Sequence, residues 1–193
     1  MKKLAGLCLL LAGCASPPAT HYWSLTTPVS AVATTCSATI QIGPVIVPDA
    51  YDRPDVVVTY GKHEIAWSGT DQWEAPLPSV LASRLAVALH RELGTGQVYT
   101  WPSMLTGAPD YTVQVQIQQI RATLGGSVAL HAIWAVKTVK GSIRNNTALV
   151  EQAAGTAGYA GVVDAVGIDV DSLGAAVARD VRASGGCAQS NAG

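Results

Sequence analysis

The chain lacks the features that usually announce chemistry. Its four histidines, His21, His63, His90 and His131, include no two at metal-pair spacing. There is no Gly-x-Ser-x-Gly elbow to present a nucleophile, no phosphate-cradling glycine loop and no Cys-x-x-Cys pair. Nothing here is positive evidence for an enzyme, and no metal or dissociable cofactor is expected. Basic residues do not exceed acidic ones, twelve against thirteen for a net charge of −1, so the composition offers no footing for nucleic acid. Behind residue 13 no apolar run approaches the roughly 20 residues of a membrane-spanning helix. Asp49, Asp52 and Asp55 gather around Arg53, but such a cluster reads as a solvated loop whose acids pair with the arginine. Gly155, Gly158 and Gly161 step by three without a phosphate-binding pattern, and read as a loosening of the approach to the last helix.

What is present begins at the N-terminus. Lys2 and Lys3 precede an apolar stretch of about ten residues, which ends in Leu11-Ala12-Gly13-Cys14. This is a bacterial lipobox: small residues at two positions and cysteine at the third. Residues 1–13 are therefore expected to be a signal peptide, and Cys14 to carry a diacylglycerol on sulfur and an acyl chain on its amine. Three chains together make a permanent anchor. The residue after Cys14 is Ala15 and not the aspartate that retains lipoproteins at the inner membrane, so the expected address is the outer membrane of a Gram-negative bacterium, facing the periplasm. Loss of Lys2 and Lys3 takes the net charge to about −3. In the mature chain two unmodified cysteines remain, Cys36 and Cys187, an even count in an oxidising compartment, and they are expected to pair.

Residues 14–35 form the lipidated N-terminus and a tether of Ala, Ser, Thr and Pro, interrupted by Tyr22-Trp23-Ser24-Leu25, a patch expected to dock as a short edge strand. Residues 36–187 read as a single domain, and 188–193 as a disordered tail. Strands are expected over 39–47, 56–60 and 64–67, followed by a helix in which Leu77, Leu81, Leu85, Leu89 and Leu93 recur every four residues and Gly94 is the stop. A short strand over 97–100 precedes two alternating runs. Val113, Val115 and Ile117 face one side in the first, Val128, Leu130, Ala132, Trp134 and Val136 in the second, with Gly125-Gly126 as the hairpin turn. Asn145-Asn146 marks a further turn, before a strand over 148–153. Val163, Val166, Val170, Leu173, Val177 and Val181 keep helical spacing, weakened by Gly167 and Gly174 so that the helix begins properly near Asp169. The expected class is α+β: a mostly antiparallel sheet with two main helices packed on one face.

The order of motifs resembles a known family. Tyr22-x-x-Leu25 follows the lipobox, then Ile42-Gly43-Pro44-Val45, Val47-Pro48, Arg53-Pro54 with a β-branched run, Glu64-Ile65, Trp73-Glu74-x-Pro76-Leu77 and the leucine-striped helix. This is similar to the ABC-type transport auxiliary lipoproteins, the PqiC-like group named for a paraquat-inducible lipoprotein. The resemblance implies an outer-membrane accessory or docking subunit of an intermembrane lipid transport system. It would form a homo-oligomeric ring that works with a periplasmic protein of mammalian-cell-entry (MCE) domains and an inner-membrane transport complex, and would contribute to envelope integrity. It also singles out Arg53, Trp73, Glu74, Pro76 and Tyr22 for partner binding. Their alternative role is to support the fold, with Trp73 buried and Glu74 near the helix N-terminus where its charge is favoured. A second reading is a periplasmic lipid or small-molecule carrier on the same fold, which would need an apolar cavity.

Overall fold

The computed structural model describes residues 18–25, 34–103 and 107–187. Cys14 and its acyl chains, the signal peptide and the tail over 188–193 lie outside the described residues. The elements run β1 (His21–Trp23), β2 (Ile40–Ile46), β3 (Asp55–Tyr60), β4 (Glu64–Trp73), α1 (Leu77–Leu93), β5 (Val98–Thr100), β6 (Tyr111–Ala122), β7 (Ser127–Thr138), β8 (Ile143–Ala153) and α2 (Tyr159–Ala183), with a 3-10 turn at Asp49–Tyr51.

The class is α+β, but the strands form two mixed sheets and not one mostly antiparallel sheet. A three-stranded sheet has the order β1-β4-β3, with β1 parallel to β4. A five-stranded sheet has the order β5-β2-β6-β7-β8, and β2 lies parallel to both neighbours. Alternation identifies a strand without identifying its partner; only hairpins such as β6–β7 announce antiparallel pairing locally. Both helices cover the same face of the larger sheet. Ile40, Ile42, Val113, Leu130 and Val136 are fully buried there, and Leu85, Leu89, Val170 and Val177 come down from α1 and α2.

Local chemistry explains most of the boundaries. Gly43-Pro44 stands inside a central strand, where proline is tolerated only at a bulge. The register jumps there from Ile42↔Val113 to Val45↔Val115, so Val45 returns to the core and Ile46 faces out. A second bulge, after Ile117, turns both Gln118 and Gln119 outward and restores Ile120 to the core. Leu93 ends α1 as expected, because Gly94 takes the left-handed conformation at φ 64° and returns its N–H to the His90 carbonyl.

Three expectations need correction. The short strand at 64–67 continues to Trp73, through a kink in which the Ser68 hydroxyl receives the Thr70 and Asp71 backbone N–H groups. Asn145-Asn146 is not a turn: the chain reverses around Gly141, and Asn146 lies in β8 with its amide reaching Asp180. Helix α2 begins at Tyr159, about ten residues earlier than its glycines suggest. A Cβ at Gly161 would fall 1.9 Å from the Ala154 carbonyl oxygen, and one at Gly174 would fall 2.5 Å from the Ala88 Cβ. These glycines permit close packing and do not loosen the helix.

Candidate functional site: the seat of the N-terminal segment

The three-stranded sheet gathers all five of the residues singled out by resemblance. β1 carries Tyr22. Arg53 leads into β3, Trp73 ends β4, and Glu74 and Pro76 connect it to α1. Register pairs Tyr22 with Gln72 and Trp23 with Trp73.

The side chains divide by face. Trp73 is only 6% exposed and packs in the main core beside Val56, Leu77 and Leu81. A buried indole offers no surface to a partner, so the partner-binding expectation for Trp73 is replaced by a core role. Pro76 is exposed and caps α1, accepting the N–H groups of Ser79 and Val80 on its carbonyl. Glu74 does not serve as a charge in the first turn of that helix. Its N–H donates to the Trp23 carbonyl at 2.9 Å, and its carboxylate accepts from the Ser24 hydroxyl. On the opposite face from Trp73, the Arg53 guanidinium stacks 4.4 Å from the centre of the Trp67 ring. Its Nε lies 3.4 Å from Asp55, which also accepts from Gln72 at 3.3 Å. The acid cluster around Arg53 thus contributes a single close pair, with Asp55.

Together these contacts hold residues 21–25 firmly on their own subunit. The Trp23 indole N–H donates to Asp71 at 3.0 Å, and Asp71 is buried while receiving the Ser68 and Thr70 hydroxyls. Leu25 is buried against the helices. Its carbonyl accepts from Arg84 at 3.0 Å, and the rest of that guanidinium forms a fork with both oxygens of Asp171 at 2.8 and 2.7 Å. One arginine therefore ties α1, α2 and the N-terminal segment together. Arg84, Asp71 and Asp171 are missing from the sequence-based expectations. Arg84 reads in the sequence as lying off the leucine row, yet it stands four residues from both Val80 and Ala88, the signal that could have found it. Asp71 and Asp171 carry no comparable signal.

Cys36 and Cys187 are also brought together, with bonded sulfurs and Cα atoms 5.0 Å apart, joining the start of the folded region to the end of α2. The histidines stay dispersed. His90 contacts the Thr95 carbonyl and His131 the Thr147 hydroxyl. Among the described residues no three His, Cys, Asp or Glu side chains converge as a metal site would require. No helix among them is long and apolar enough to cross a membrane. A shallow groove of about 710 Å³ lies on the uncovered face of the larger sheet, lined by Ile46, Gln116, Ile133, Asn145 and Thr147 among others. Among the described residues, Asp169 on α2 is a fully buried carboxyl with neither oxygen hydrogen-bonded. Burial raises its pKa to about 7, and the charge of Glu151 adds to the rise. Burial likewise raises the pKa of Tyr51, whose hydroxyl donates to the Ile120 carbonyl.

The fold has solved counterparts. An uncharacterised protein of known structure is 18% identical, with a TM-score of 0.70 over 85% of this chain and 99% of its own. A Xanthomonas campestris protein of the DUF330 family is 12% identical, with a TM-score of 0.68 over 86% of this chain and 97% of its own. At such identities the likeness concerns the fold alone. No curated protein matches the sequence. The family model of the ABC-type transport auxiliary lipoprotein component matches residues 23–178, from the last residue of β1 into the final turns of α2, and the chain belongs to that family.

Proposed function

We propose that this protein is an outer-membrane lipoprotein, anchored through acylated Cys14, that serves as the periplasmic docking subunit of an MCE-type intermembrane lipid transport system. The observation that carries the reading is the seat of residues 21–25 a few residues behind a lipobox. An anchor at Cys14 would hold the folded region to the membrane through a short leash, because β1 and Leu25 are fixed to the domain by Asp71, Glu74 and Arg84. The function is mechanical: to present a rigid platform at a fixed height, where a periplasmic component can dock. Glu74 and Pro76 are exposed and are the candidates for contact with a protein partner, while Tyr22, exposed, and Arg53, partly so, lie beside the anchored end of the chain. Assembly into a ring is part of the same reading. It is supported by β8, an eleven-residue strand at the edge of the larger sheet whose outer side pairs with no strand among the described residues.

The carrier reading draws less support. Between helices and sheets, the gap lined by Tyr51, Val56, Trp73, Ile120 and Val162 measures about 20 Å³, room for about one water and not for an acyl chain.

The anchor is tested by replacing Cys14→Ser in the full chain in its native envelope. The expected result is loss of acyl chains by intact mass, release from the membrane fraction and increased sensitivity of the cells to detergent. A variant that stays membrane-bound and leaves the barrier intact would contradict the proposal.

A further inference from the structure

We infer that the outer face of the three-stranded sheet, carrying Tyr22, Trp67 and Arg53, lies against the lipid headgroups of the membrane that holds Cys14. The inference rests on the anchor proposed above and adds the orientation of the domain on it.

Reach is the first argument. Between Cys14 and His21 the chain extends at most about 25 Å. A domain of this size is about 40 Å across, by the usual scaling of radius with length. The leash ends on β1, so the surface beside β1 can lie on the bilayer while surfaces a full domain width away cannot be drawn onto it. Chemistry is the second. Register places Tyr22 beside Gln72 and Asp55, and Trp67 opposite Val57, two residues along the same side of β3. Tyr22 is 69% exposed and Trp67 53%. Amphipathic rings with a polar tip are the side chains that settle at headgroup depth. Arg53 stacks on Trp67 with its Nε 3.4 Å from Asp55, so a partly exposed guanidinium, a group that pairs with phosphate, stands beside the exposed ring. The face is not basic overall, since Asp55 and Glu74 border it. Contact should therefore depend on the rings and be insensitive to salt and to the anionic lipid fraction.

The test uses the full, acylated chain reconstituted in phosphatidylethanolamine–phosphatidylcholine vesicles, part of the phosphatidylcholine being brominated along its acyl chains. Bromolipids quench only indoles at the bilayer. The protein has five tryptophans, of which Trp67 and Trp101 are substantially exposed. Quenching is expected in the parent and in Trp101→Phe, and its loss in Trp67→Phe, with the melting temperature of each variant reporting that it is folded. Quenching that survives in Trp67→Phe and disappears in Trp101→Phe would overturn the inference. So would an acylated protein whose Trp67 is shielded from acrylamide but not reached by bromolipid, because a second copy of this chain would then cover this face. Intact mass is read on the same sample. Absence of acyl chains would refute the anchor and the orientation together, whereas acylation without quenching would refute the orientation alone.

Discussion

Asp169 is the residue most at odds with its surroundings. It sits fully buried on α2 with neither oxygen hydrogen-bonded. In the unfolded chain its carboxyl loses its proton near pH 3.8, and in the folded protein near 7. Between those values the folded state holds the extra proton, so stability falls as pH rises through this window and levels off once the folded carboxyl has ionised. Above neutrality the folded state therefore carries an ionised, buried carboxylate, a penalty that the unfolded chain does not carry. Asp169→Asn removes the ionisation. Urea unfolding at pH 5 and pH 8 should show the parent losing stability between the two, and the variant losing much less. Parallel losses would show that the pH dependence originates elsewhere. The helix around Asp169 was legible but its burial was not: the helical spacing of Val163, Val166 and Val170 marks an apolar stripe, and Asp169 borders that stripe without a visible partner.

At the scale of elements, Arg84 adds to the three backbone pairs of β1 a side-chain tie at Leu25, where the N-terminal segment leaves the sheet. Arg84→Met would remove the fork to Asp171 and the bond to the Leu25 carbonyl, at a cost of about 1–3 kcal/mol. Hydrogen exchange should then quicken at residues 22–25 in particular, and unchanged exchange there would show that the seat is held otherwise. The Cys36–Cys187 bond acts on a longer loop, with a sequence separation of 151. Cys36→Ser with Cys187→Ser should lower stability by about 4–5 kcal/mol if chain entropy dominates. Thermal unfolding with and without reductant measures this, and a parent indifferent to reductant would contradict it. Several elements were legible for physical reasons. The leucine repeat of α1 with Gly94, and the β6–β7 alternation around Gly125-Gly126, are local patterns that need no partner to be recognised. The parallel placement of β2 between β5 and β6, and the continuation of β4 through Ser68–Asp71, depend on contacts distant in sequence or on a hydroxyl replacing ladder bonds. Glycine spacing misled in α2, because Gly161 and Gly174 serve packing against Ala154 and Ala88.

For the whole molecule, two sheets and two helices close over a filled core, and the N-terminal segment is built into the outside of that body. The family was legible because its marks — the lipobox, Tyr22 to Leu25, Gly43-Pro44, and Trp73 to Leu77 — lie in order along the chain. The structure gives several of them a reason: a bulge at Gly43-Pro44, a core indole at Trp73, a helix cap at Pro76 and a fixed segment at Trp23 to Leu25. Those reasons concern the fold, and the docking role must be read from the partner itself. The most direct measurement is affinity purification of the acylated protein from its native envelope, with mass spectrometry of what accompanies it. The account predicts an MCE-domain protein in the eluate and an oligomeric lipoprotein. A monomer accompanied by lipid and by no such protein would contradict it.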